Sequence, residues 1–445
     1  MARFAVVVEG PDQVVTARHS PPPSRDGSTL SPDDGDYSIE FARMPGMVAS
    51  PADGSIWIQT RSAGLYRAPP GGEGGWQHVP VRLPDAPPEP HLLGLGVTRA
   101  GRLLLLHQAR DPTDPPNMIQ DRAHISHSDD NAATWTTAEI SFAAATPPAA
   151  LAARGAYRLS ANDVSTFWED GDGVVHVSLH MRWRPHAEEA ADPANLDPHS
   201  GLIRPERDLG AEIVLRSGST DCIDWADPTV LAPSTYECCT VADPQDPSRL
   251  LTIGRVQRPL LAGEDEAPAR RATGCPATTQ AADQSFYKNG AVMSSRDGGR
   301  TFQQDALLGY YEYRGTALWT QSGTVVLTTQ GRADANGDGG ASIGGVFARV
   351  SVDGARSWLG EQGSTTDVAS AKTFEIVGED PGHSFTSPTV AVGSPGAQSF
   401  LTAFVTTVRT GTDLSHPTAL AQDGPVSAEL RVRRWRLVSS KAAAL

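Results

Sequence analysis

Cysteine is scarce in this sequence. Cys222, Cys238, Cys239 and Cys275 are the only four in 445 residues, too few for a disulfide framework in a chain of this size. Cys238 and Cys239 fall in an apolar run, where a buried free thiol is the ordinary reading. Positive charge is in deficit as well. Asp and Glu number 52 against 37 Lys and Arg, a formal net charge of −15, and the summed field argues against nucleic acid or an anionic membrane as partner. No apolar run is long enough to span a bilayer. The start, Met1 to Glu9, has an apolar stretch far shorter than a signal peptide needs. A soluble monomer that inserts in no membrane is expected, its compartment left open and a trimmed leader compatible with it. The chain lacks Cys-x-x-Cys, P-loop and dinucleotide fingerprints, and His180, His186 and His199 have no zinc spacing. Nothing requires a cofactor.

What the sequence has in quantity is turn residues, 43 Gly and 35 Pro beside 39% hydrophobic residues, the composition of an all-β protein of short strands. One turn recurs. Ser295 to Phe302 reads Ser-Arg-Asp-Gly-Gly-Arg-Thr-Phe behind a short apolar run. It returns as Ser128 to Trp135 and Ser351 to Trp358, each with Ala where the first copy has its second Gly. An Asp in the third place can accept from backbone N–H groups of its own turn, Gly permits positive φ, and the aromatic folds into the core. Three copies resemble the Asp-box of the sialidase superfamily, whose members are six-bladed β-propellers; the box closes the outer turn of a blade and does no chemistry.

The units around these turns support that fold. Gly54, Gly101, Gly173, Arg249, Gly323 and Gly396 mark equivalent hairpins at spacings of 47, 72, 76, 74 and 73 residues. Six four-stranded antiparallel blades are expected in one domain, 1–445, at about 41–85, 91–145, 158–232, 236–309, 313–378 and 383–438. Residues 3–8 supply the last strand and close the ring, which leaves no open sheet edge. A seven-bladed ring is the rival. Long second-to-third connections gather at one face, opposite the Asp-boxes, and a binding site is expected there.

Three arginines are candidates for that mouth. Phe41-Ala42-Arg43-Met44-Pro45 resembles the Phe/Tyr-Arg-Ile-Pro signature of sialidases; Glu237 and Arg255 look like the family's Glu followed by its second arginine; Tyr313-Arg314-Gly315 stands where the third occurs. Guanidinium groups present forked donors matched to a carboxylate and remain charged at any working pH, so the resemblance implies an acidic oligo- or polysaccharide bound by Arg43, Arg255 and Arg314. The chain also departs from the family. Arg61-Ser62-Ala63 has no carboxylate where the acid/base Asp is expected, and Phe385 or His383 occupies the place of the nucleophilic Tyr. Asp111 or Asp114 is then the candidate acid, and Tyr311 or Tyr313 the group that approaches the sugar, with Glu237 beside them.

A sialidase-like glycoside hydrolase is the first expectation. The second is a polysaccharide lyase in which arginine neutralises a uronate and His91, His383 or a Tyr serves as acid or base; the third is a glycan-binding propeller without turnover. Asp334, Asn336 and Asp338 match the first half of an EF-hand loop, a candidate structural calcium site, although Gly345 takes the place of its closing Glu.

Overall fold

The computed structural model describes residues 4–20, 46–60, 64–84, 91–108, 122–141, 157–185, 209–217, 221–233, 235–261, 263–283, 286–310, 312–331, 345–361, 363–378, 387–393, 398–409 and 426–439. They form a β-propeller whose strands pair antiparallel, almost without exception, into four-stranded units. Gly46–Ala49, Ile56–Thr60, Gly64–Ala68 and Gln77–Val79 make the first sheet. The second has eight strands. His91–Val97, Leu103–Gln108, Arg122–Ser128 and Thr136–Ser141 are one meander, and Tyr157–Glu169, Val175–Pro185, Leu209–Ser217 and Trp225–Pro233 the other. The third sheet is Thr235–Ala242, Leu250–Arg258, Tyr287–Ser295 and Gln303–Tyr310; the fourth is Glu312–Trp319, Val325–Gly331, Gly345–Ser351 and Phe374–Val377. In the fifth, Thr389–Val392, Ser399–Arg409 and Val426–Ser439 are joined by Phe4–Val8 and Gln13–Ser20, both paired with Val426–Ser439.

Five such sheets emerge where six are expected, because one parallel pair, Ser165 opposite Gly94, ties the two meanders of the second sheet into one. Cores lie between sheets. Trp57 and Leu65 pack with Leu95, Leu105 and Trp135; Trp168 with Cys238, Leu250 and Met293; Ile253 and Val292 with Val325 and Leu327; Val346 and Phe374 with Phe400 and Trp435; Leu401 and Leu430 with Ile58 and Tyr66. A smaller cluster of Leu104, Phe167, Val175 and Cys222 separates the two meanders of the second sheet. Their backbones approach so closely that a Cβ on Gly96 would stand 2.5 Å from the Phe167 side chain. All four cysteines are buried, and none is in a disulfide.

The hairpin glycines share one geometry. Gly101, Gly173 and Gly323 have φ of 89°, 79° and 80° and donate to the carbonyls of Thr98, Asp170 and Thr320, a left-handed conformation that costs a Cβ-bearing residue about 1–2 kcal/mol. The three Ser-x-Asp turns likewise superimpose in their bonding. Ser128, Ser295 and Ser351 donate to Asp130, Asp297 and Asp353 at 2.8 Å, and each Asp takes a hydroxyl at 2.6 Å from Thr134, Thr301 or Ser357. Ala132 and Ala355 hold φ of 68° and 60° where the Ser295 turn has Gly299 at 86°.

These bonds give the fold an acid sensitivity. The hydroxyl and backbone N–H of Thr134 hold the Asp130 carboxyl down at about 2, and Thr301 lowers Asp297 further. Burial pushes Asp353 up, but Ser357 and Ser351 outweigh it and leave the group below its ordinary value of 3.8. A carboxyl lowered on folding stabilises the fold above its unfolded value and loses that contribution as pH falls through the folded one. Thermal melts over a pH series should show stability falling from about pH 4 downward. A variant with Asn at positions 130, 297 and 353 should start less stable and show a shallower decline.

Candidate functional site

Where the inner strands begin, they are bulged. In the second sheet Leu92 pairs with His107 and Gly94 with Leu106; further along, Ala161 pairs with Met181 and Ser165 with Leu179. In the third, Tyr236 pairs with Arg255 and Cys239 with Ile253; in the fourth, Tyr313 pairs with Gln330 and Thr316 with Thr328. In all four places the inner strand carries extra residues that its partner does not match. A bulge re-aims side chains and is common beside active sites. Just beyond it runs a ladder of hydroxyl pairs: Thr166 opposite Ser178 at 3.2 Å, Thr240 opposite Thr252 at 2.9 Å, Thr316 against Thr328, and Thr389 opposite Thr402 at 2.8 Å. Thr240 N–H donates to Thr166 Oγ1 at 2.9 Å, and Thr316 Oγ1 to the Ser387 carbonyl at 2.9 Å. Neighbouring inner strands are therefore tied together at this level.

Glu237 sits in one of these bulges with φ of 51°. A non-glycine residue in that region stores backbone strain of about 1–3 kcal/mol and is concentrated at functional sites. Its carboxylate lies 3.3 Å from the Arg255 guanidinium; only 2% of Glu237 and 6% of Arg255 is exposed. A second buried pair opens the fourth inner strand. Arg349 Nη2 donates to Glu312 Oε2 at 3.0 Å and Thr329 to Glu312 Oε1 at 2.6 Å, which fixes the strand immediately before Tyr313 and Arg314. Between Arg258 and Tyr287 the chain forms a helix, Glu266–Thr273, capped by Asp265 and Gly274. Arg258 bridges to Glu264 at 2.7 Å and lies over the Tyr287 ring at 3.8 Å, bracing that segment against the sheet.

His107 ends the second inner hairpin, 2.8 Å from Ser126 and stacked on His124. Burial, helped by the charge of His124, pushes its imidazole down to about 3. The ring is 1% exposed and packs inside the second sheet.

No family model and no curated protein sequence matches the chain. Among solved structures, a Dyadobacter fermentans protein of unknown function is similar at a TM-score of 0.49 and 14% identity, covering 89% of this chain and 94% of that one. A Penicillium chrysogenum α-L-arabinanase complexed with arabinobiose reaches 0.47 at 12% identity, over 95% and 98%. A Hadza microbial sialidase, Hz136, reaches 0.41 at 12%, over 81% of this chain and 61% of that one. Similarity this low assigns no activity to the chain.

Of the expected site residues, Glu237 and Arg255 are brought together. Tyr313 and Arg314 have their backbones at the bulge of the fourth inner strand, and His91 opens the first strand of the second sheet opposite Gln108. Arg43, Asp111, His383, Asp334, Asn336 and Asp338 lie outside the described residues, as do Asp114, Tyr311 and Phe385. Among the described residues no cluster of His, Cys, Asp or Glu could hold a metal ion, and no helix is long and apolar enough to cross a membrane.

The hydroxyl ladder and the Glu312–Arg349 pair are absent from the sequence-based expectations. Thr166, Thr240, Thr316 and Thr389 recur at nearly the spacing of the hairpin marks, but uncharged residues do not announce a site. At the far ends of the inner strands a cavity of about 520 Å³ is lined by Ala49, Val97, Trp168, Ala242, Trp319 and Val392, among others. One cavity meeting six chain segments is the central channel seen from the end opposite Glu237.

Proposed function

We propose that this chain is a carbohydrate-active enzyme, a sialidase-like glycoside hydrolase that takes a carboxylated sugar at the bulged end of the channel. The observation that carries the reading is Glu237 with Arg255, a buried ion pair at a strained backbone position where inner strands from several sheets start together. A guanidinium has five N–H donors in a fork, so one arginine can serve both an ion-paired glutamate and a sugar carboxylate. Arg314, in the next bulge, and Arg43 complete the proposed anion site; Tyr313, His91, His383 and Asp111 are the proposed acid, base or nucleophile positions around it. Asp334, Asn336 and Asp338 are retained as a proposed structural calcium site. The ring is counted as six-bladed, with the two meanders of the second sheet as separate blades. The core cluster between them and the six segments lining the channel support that count.

The test is a panel of aryl glycosides of sialic and uronic acids, their neutral counterparts, and uronate polymers. Hydrolysis of a carboxylated glycoside, with a new reducing end, is the expected result. A rise in ultraviolet absorbance from an unsaturated uronate product would make the protein a lyase instead. Saturable binding with no product would make it a glycan-binding propeller.

A further inference from the structure

The second strands of the meanders differ in length, and the differences are ordered around the ring. Each starts from a hairpin at the end opposite Glu237 and runs toward the mouth, so its length is the height of its sheet there. Ile56–Thr60 has 5 residues and Leu103–Gln108 has 6, against 11 each for Val175–Pro185 and Ser399–Arg409; Leu250–Arg258 with 9 and Val325–Gly331 with 7 lie between. At about 3.3 Å per residue the tallest strands exceed the shortest by roughly 20 Å. The tall parts are paired sheet. Tyr157 pairs with Pro185 and Leu209 with Trp183 in the second meander of the second sheet; Val426 pairs with both Arg409 and Ser20 in the fifth sheet. The first sheet turns back at once, Thr60 opposite Gly64.

The order of packing sets the low sheets side by side. The tall fifth sheet packs on the first through Leu401 and Ile58, the first on the low meander of the second sheet through Trp57 and Leu95, and that meander on its tall neighbour through Leu104 and Val175. Among the described residues the rim is lowest at the first sheet. An exposed ring stands there. His78, on the outermost strand of the first sheet, pairs with Tyr66 and lies 5.2 Å from its ring, and Tyr66 belongs to the cluster shared with the fifth sheet. A Cβ on Gly64 would stand 3.0 Å from His78 Nε2, so the imidazole reaches the mouth end of its sheet.

We infer that the substrate is a glycan chain rather than a lone terminal sugar: one carboxylated residue is held at Glu237 and Arg255, the rest of the chain leaves the mouth over the first sheet, and His78 is a contact for it. The inference rests on the glycoside-hydrolase reading above and extends its site. A chain needs a way out, and paired sheet about 20 Å higher walls the mouth at the second meander and at the fifth sheet. An imidazole presents an apolar face and a polar tip, which suits a sugar with C–H faces and a girdle of hydroxyls.

The experiment uses the full chain, the aryl glycoside of the panel that it cleaves, and oligosaccharides of increasing length that carry the same sugar. For the unaltered protein kcat/KM should rise with oligosaccharide length. His78→Ala should lower the ratio of kcat/KM on the longest oligosaccharide to that on the aryl glycoside by about three- to tenfold, chiefly through KM, and His78→Tyr, which keeps a ring, should recover much of it. Lengthening the turn between Thr60 and Gly64 by about six residues raises the low rim and should lower the same ratio by about tenfold or more. Thermal melting of the variants guards against misfolding. Equal kcat/KM at every length, or a lengthened turn that leaves the ratio unchanged, overturns the inference while the hydrolase reading stands. Hydrolysis of no member of the panel overturns that reading, and this inference with it.

Discussion

Arg255→Met should be among the most damaging single substitutions in the protein. It removes the guanidinium beside Glu237, which is 2% exposed, and removing one partner of a buried ion pair costs about 3–5 kcal/mol. Equilibrium urea unfolding should show a midpoint lowered accordingly. Glu237→Gln should cost less, because it leaves a neutral amide opposite the guanidinium. The double variant Glu237→Gln/Arg255→Met should be more stable than Arg255→Met alone, since each change removes the penalty created by the other. Activity should follow a different order. All three variants lose the ion pair at the mouth, and all should lose turnover on the cleaved glycoside, including the double variant whose stability recovers. Additive stability losses would show that the two side chains do not interact, and would remove the observation on which the proposed site rests.

Trp435→Ala should be comparably destabilising and should leave the chemistry in place. The indole is fully buried, packs on Phe400 at 4.5 Å between ring centres, and donates to Thr402 Oγ1 at 2.8 Å. Its cluster joins the fourth and fifth sheets and includes Phe4 and Val6 of the first strand. Truncating a buried tryptophan to alanine costs about 3–5 kcal/mol, and the orphaned Thr402 hydroxyl still has Thr389 as partner, so the loss is mainly of packing. Denaturation should reveal it, while KM for the cleaved glycoside stays near that of the unaltered protein at temperatures where both are folded. A large change in KM would mean that the seam between these sheets controls the mouth.

The parts of the fold legible in the sequence were those built from local bonds. Ser295 and Asp297 bond within one turn, so their pattern is visible in eight residues; the same holds for hairpin glycines such as Gly323, whose positive φ is a property of one residue. The merging of two meanders through Ser165 and Gly94 depends on residues far apart in sequence and on how closely two sheets pack, and no short pattern records it. The site shows the same division. Glu237 and Arg255 are legible through the resemblance of their segment to the sialidase Glu and second arginine. The bulge that holds Glu237 is a matter of register, which is settled only when the strands pair.

The pairing of Phe4–Val8 and Gln13–Ser20 with Val426–Ser439 bears on how the molecule comes into being. During synthesis Phe4–Val8 and Gln13–Ser20 must wait, their hydrogen-bonding edges unmatched, until Val426–Ser439 has left the ribosome. Contacts of such wide sequence separation form late and slowly. The intervening sheets can assemble in order as they emerge, but the annulus is sealed by two stretches far apart in the chain meeting last.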